Sequence, residues 1–165
     1  MKKTLLLLFL LAACGRDSPA DGNRAEPESR AAAPKPGAAT SPAAETRLAG
    51  LYEGGAGAQK NQMCIVEKSG ESQFGLLVWG GNLHSCSGAG RAVRKGDRLT
   101  LTMTGDETCA IQATVSGGVV TLPDKLPLGC AYYCAARASL AGASFTRSGD
   151  DVKKATDIAG DPLCD

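Results

Sequence analysis

Seven cysteines and a single histidine are the side chains of this 165-residue chain best suited to chemistry. Cys14 stands alone near the N-terminus. The other six, Cys64, Cys86, Cys109, Cys130, Cys134 and Cys164, fall in the later two thirds. An even set in an exported chain reads as a disulfide framework, although sequence alone does not choose the pairing. Zinc favours closely spaced cysteine pairs, often with histidines. Here the spacings are long except in Cys130-Ala-Tyr-Tyr-Cys134, and His84 is the only imidazole. Cross-linking is therefore expected, with no metal and no cofactor. Cys130 and Cys134 could lie one turn apart on a helix, which suits separate partners better than a mutual bond. Cys164 is expected to tie the C-terminus back to the domain.

His84 sits in Leu83-His84-Ser85-Cys86-Ser87. A hydroxyl nucleophile would need this ring beside it, a third group to orient the ring, and an oxyanion hole. Neither Ser85 nor Ser87 lies in a Gly-x-Ser-x-Gly elbow. The carboxylates Asp97, Asp106, Glu107, Asp124, Asp150 and Asp151 could supply the pair that glycoside hydrolysis needs. They stand in predicted turns, however, where Asp is favoured for its backbone hydrogen bonding. Gly54-Gly55-Ala56-Gly57 lacks the Lys of a phosphate loop. No residue is assigned a catalytic role, and the chain is expected not to be an enzyme. A cell-wall-acting hydrolase using His84 or the loop carboxylates is the alternative.

Cys14 is set apart by what precedes it. Met1-Lys2-Lys3 is basic, residues 5–11 are an uncharged apolar run, and Ala12 and Ala13 are small. These are the parts of a secretory signal peptide, and the apolar run is far short of the roughly 20 residues that span a bilayer. Leu11-Ala12-Ala13-Cys14 resembles the lipobox of bacterial lipoproteins. The resemblance implies cleavage after residue 13, a diacylglycerol on the Cys14 thiol and acylation of its new amine, for instance by palmitate. Two or three chains anchor a protein stably where one does not. Gly15, in place of the Asp that retains lipoproteins on the inner membrane of enteric bacteria, implies an outer-membrane destination in the cell envelope, with the domain in the periplasm.

Residues 14–46 form the lipidated N-terminus and a tether. Five of the eight prolines are here, with Ala, Gly, Ser and charged residues, and with no aromatic and no Val, Ile or Leu. Such a segment cannot bury enough apolar surface to offset its ordering entropy and is expected to be disordered. A flexible chain of this length spans roughly 30 Å.

The composition changes near Arg47, and residues 47–165 suffice for one domain with one modest core. Twelve Lys and Arg balance twelve Asp and Glu there, and no basic stripe of the kind that binds nucleic acid is expected. Strands are expected over residues 48–53, 63–67, 73–79, 83–93, 98–103, 108–115 and 119–122, and again over 143–147, separated by Gly-containing turns. Residues 73–79 are nearly all apolar, which predicts burial on both faces. Gly88 and Gly90 predict a bulge or a close backbone approach. Residues 130–141 are Ala-rich and predict a helix ending at Gly142, and a second short helix is expected over 151–158. The fold class is mainly β: a small antiparallel barrel or sandwich with one or two short C-terminal helices, stapled by disulfides.

Trp79, Tyr132 and Tyr133 are the large amphipathic side chains able either to anchor a partner or to fill the core. Arg91, Arg94, Lys95 and Arg98 cluster around one predicted hairpin, either as a solvated turn or as a site for lipid head groups or an acidic protein. The general plan of lipobox, small barrel and disulfides is similar to that of periplasmic lipoproteins that inhibit lysozyme. Ser87-Gly88-Ala89-Gly90-Arg91 echoes their Ser-Gly loop without a matching downstream motif, so no residue role carries over. The functional expectation is a non-catalytic domain that contacts a protein, glycan or small ligand.

Overall fold

A computed structural model describes residues 47–165. Cys14, the signal segment and the tether lie outside the described residues. Eight strands run in chain order: β1 (Gly50–Gly54), β2 (Asn61–Lys68), β3 (Glu71–Trp79), β4 (Ser85–Lys95), β5 (Arg98–Met103), β6 (Ala110–Ser116), β7 (Val119–Thr121) and β8 (Ser144–Gly149). Each pairs antiparallel with the next, and β1 pairs with β8, so the sheet closes into a barrel. Closure removes the exposed edges that would otherwise template aggregation.

The period-2 pattern of the strands decides what lies inside. Tyr52 and Met63 face each other across β1 and β2, Ile65 faces Phe74, and Leu101 faces Ile111. These six, with Leu76, Leu99, Met103 and Phe145, are all buried in one cluster. An eight-stranded barrel is just wide enough for side chains to fill. The inward positions of β4 are small where their neighbours are large. Gly88 pairs with Leu76, and a Cβ there would meet Met103 Sδ at 2.8 Å and the Tyr133 ring at 3.1 Å. The neighbours of Gly88 are thus side chains within the barrel, and the close backbone approach is at Gly90, where a Cβ would meet the Thr102 carbonyl oxygen.

In an antiparallel meander the turns alternate between the two ends. One end carries the tight turns at 69–70, 96–97 and 117–118, together with Arg47, where the described chain begins. We call this the near end. The far end carries the longer connections 55–60, 80–84, 104–109 and 122–143.

Three disulfides join Cys64 to Cys164, Cys86 to Cys134 and Cys109 to Cys130. Two of them fasten the long 122–143 connection to β4 and to the start of β6. The third fastens the C-terminal tail to the outside of β2. There Leu51, Cys64, Ala155 and Cys164 form a second buried cluster, with Val66, Val152 and Leu163 packed on it. This tail explains the apolar run in β3: residues 74–78 are all buried, with the barrel on one side and Leu163 lying against Gly75 on the other.

The two expected C-terminal helices are replaced by shorter structures. Leu128–Tyr133 is a 3-10 helix, and Cys134 is extended and bridged to Cys86. Ala-rich helix propensity amounts to fractions of a kcal/mol per residue, whereas the two disulfides dictate the path of the backbone. The second helix shrinks to a 3-10 turn, Val152–Lys154, because the chain must then double back: Thr156 bridges Pro162, bringing Cys164 to Cys64. No helix among the described residues is long and apolar enough to cross a membrane.

Candidate functional site

The far end is built on the 122–143 connection. Pro127 precedes the 3-10 helix, and the Cys109–Cys130 bond holds it against the β5–β6 loop. The fit there is close: a Cβ on Gly129 would lie 2.2 Å from Thr108 Oγ1. Asp106 shapes that loop by accepting hydrogen bonds from the backbone N–H of Thr108 at 2.9 Å and from its hydroxyl. It acts as a turn former. Tyr133 donates its hydroxyl to the Thr104 carbonyl at 3.0 Å, with its ring against Gly88. Its neighbour Tyr132 points outward, 89% exposed, as does Leu128 at 94%.

Beside them lies a cleft of about 440 Å³ lined by residues 126–128, 130–131 and 134–141, including Leu126, Leu128, Ala131, Ala138 and Leu140. One wall continues into the β3–β4 loop, where Gly81 N–H donates to the Arg137 carbonyl at 3.2 Å. Three non-glycine residues of these two loops are left-handed: Asn82 (φ 56°), Leu83 (φ 62°) and Arg137 (φ 72°). Asn tolerates this region, but Leu does so at a cost. The strained turn leaves Leu83 67% exposed. Leu83, Leu128 and Tyr132 therefore give the far-end connections three exposed large side chains, of which Leu128 lines the cleft. Only Tyr132 of these was singled out from the sequence. Leu126-Pro127-Leu128 carries no local signal that Leu128 lies outside.

His84 follows this turn. Its main chain is engaged, with its N–H donating to Gly81 and its carbonyl accepting from Gly80. Its ring makes no hydrogen bond with a described residue, so no imidazole–hydroxyl or imidazole–carboxylate pair forms there. Trp79 is partly buried at the end of β3, where its backbone N–H donates to Asn61 Oδ1 at 2.9 Å. No cluster of three or more His, Cys, Asp or Glu suited to a metal occurs among the described residues.

Arg91 and Arg94 are not brought to this surface. They lie toward the near end on β4, Arg91 facing outward and Arg94 half-buried. Asp150 is also at the near end, paired with Arg147 and standing 3.7 Å from Arg47. The Arg147 side chain runs inward to donate to the Ala49 carbonyl at 3.1 Å. Near it Tyr52 donates its hydroxyl to the Leu48 carbonyl at 2.5 Å. Burial pushes the Tyr52 pKa above its ordinary value, and the cations of Arg147 and Arg94 partly oppose that. These contacts hold the incoming chain against the barrel mouth. The loop carboxylates are thus spread over both ends, Asp97, Asp150 and Asp151 at the near end and Asp106, Glu107 and Asp124 at the far end.

No protein-family model, curated protein or solved structure matches this chain.

Proposed function

We propose that this chain is an outer-membrane lipoprotein, anchored through lipid on Cys14, whose non-catalytic barrel domain binds a partner at its far end. The observation that carries the binding reading is the far-end cleft lined chiefly by Leu and Ala, with Leu128 exposed on its wall and Leu83 and Tyr132 exposed in the connections of the same end. Contiguous exposed apolar groups rimmed by polar ones mark interaction sites. The barrel interior is filled by its own side chains, so a ligand has the end surface to bind rather than the lumen. The partner's contacting surface is apolar, as a protein segment or a small apolar ligand would provide. Nucleic acid does not fit, because charge is balanced in the domain and the far-end cleft is lined chiefly by Leu and Ala. The periplasm, which is oxidising, agrees with three disulfides.

The far end is the end of the barrel opposite Arg47. Two measurements test the reading. A photo-crosslinking residue at position 132 in the full-length chain is expected to give a discrete adduct in intact cells, lost on Leu128→Ser. The same residue at Gln112, on the outward side of β6, is expected to give none. Equal labelling at both positions overturns the assigned surface. A Cys14→Ala chain is expected to leave the membrane fraction, and continued co-fractionation overturns the anchor.

A further inference from the structure

We propose that a groove on the side of the barrel, separate from the far-end surface, binds a small zwitterion such as an amino acid or a short peptide. The groove holds about 300 Å³, within the range of small-molecule sites. Its floor is the outer face of β2, β3 and β4, and its wall is the C-terminal tail at residues 163–165. The tail is fixed to this face. Cys164 is bonded to Cys64 of β2, and the Leu163 N–H donates to the Ala155 carbonyl at 2.8 Å. The wall therefore needs little further ordering when a ligand arrives.

Six polar side chains border the groove from separate elements: Lys68 at the end of β2, Glu71 and Gln73 on β3, Arg91 on β4, Thr104 after β5, and Asp165 in the tail. Lys68 is the register partner of Glu71, and Arg91 that of Gln73. Even so, none of the six side chains makes an ion pair or a hydrogen bond with another described residue. Two cations and two acids thus face one concavity without being paired to one another. That balance selects the ligand. An anion alone would meet Glu71 and Asp165, a cation alone would meet Lys68 and Arg91, and like charges brought together are costly. A molecule with a carboxylate at one end and an ammonium at the other satisfies both sets, and Arg91 can hold the carboxylate through two parallel N–H bonds. Between the charges, Val66, Ala89 and Leu163 offer apolar contact to a small side chain. A sugar fits less well: Phe74 is the aromatic residue of the lining and is 1% exposed, so no ring face is presented for stacking.

The barrel closure, both buried clusters and all three disulfides lie within residues 47–165, so that segment folds on its own. Titrated with alanyl-alanine, it is expected to show backbone amide shifts confined to the groove, at Gln73, Ala89, Arg91 and Leu163 among others. The N-acetyl derivative, which keeps only the carboxylate, and the C-terminal amide, which keeps only the ammonium, are each expected to bind about fivefold more weakly. Lys68→Gln with Arg91→Gln should weaken the acetylated peptide and leave the amide unaffected. Glu71→Gln with Asp165→Asn should do the reverse, and each pair should weaken alanyl-alanine. All four residues are exposed, so both variants are expected to keep the wild-type melting temperature. Absence of shifts with the dipeptide in large excess, shifts outside the groove, equal binding of all three peptides, or loss of both capped peptides in one variant overturns the proposal. Leu128→Ser, which removes the far-end crosslink, is expected to leave the titration unchanged. A parallel loss there would place the dipeptide at the far end and overturn the groove as its site.

Discussion

The carbonyl oxygen of Leu163 lies against Gly75 so closely that a Cβ on Gly75 would stand 2.4 Å from it. This contact seats the C-terminal tail on the outer face of β3, next to the Cys64–Cys164 bond. Gly75→Ala therefore forces the tail outward. It is expected to cost about 1–3 kcal/mol, the usual range for overpacking, and to make the C-terminus susceptible to carboxypeptidase. Gly81→Ala, where a Cβ meets nothing within 4 Å, should leave the melting temperature unchanged. Thermal unfolding of both variants checks this.

Tyr52 predicts an alkaline dependence. Its folded pKa lies above the ordinary 10.0, so the folded barrel holds the phenolic proton more tightly than the unfolded chain does. The stability this contributes is fully present below about pH 10 and is lost as pH rises through the folded value. Tyr52→Phe leaves the Leu48 carbonyl without its donor and is expected to cost about 1 kcal/mol at pH 7. The gap between wild type and variant should narrow above about pH 10. Denaturant midpoints measured across that range test the sign.

The Cys86–Cys134 bond joins residues 48 apart in the chain and holds the far-end connection on β4. Cys86→Ala with Cys134→Ala is expected to lower stability by about 2–4 kcal/mol. Ala135 N–H donates to Ser85 beside that bond, so amide exchange at Ala135 should quicken in the variant while exchange in β5 and β6 keeps its protection relative to global unfolding. Hydrogen-exchange measurements make the comparison.

Leu128 and Tyr132 should behave in the opposite way. Both are almost wholly exposed, so Leu128→Ser with Tyr132→Ser is expected to change stability by no more than about 0.5 kcal/mol. The same variant should lose the crosslinked partner. A large fall in melting temperature would mean that these residues are structural.

Much of the fold was legible because strands advertise themselves by period. Residues 98–103 alternate polar and apolar, and β5 occupies Arg98–Met103. The helix expected from Ala-rich residues 130–141 was misread because propensity is weak and local, while the path of Cys130 and Cys134 is set by Cys109 and Cys86, far away in sequence. Of the far-end surface only Tyr132 could be named. Leu128 and Leu83 are ordinary apolar residues in the sequence, and nothing local says that they lie outside.

The sequence by itself determined the apolar N-terminal run ending before Cys14, the composition break at Arg47, the strands and the even number of domain cysteines. Each is a local or compositional property, readable without knowing which residues meet. Tertiary structure alone decided that the sheet closes through β1 and β8, which cysteines pair, and that the tail covers β3. It also decided that Arg91 and Tyr132 belong to opposite ends of the barrel. These depend on contacts between residues distant in the chain, where pairing and packing rather than local preference select the outcome.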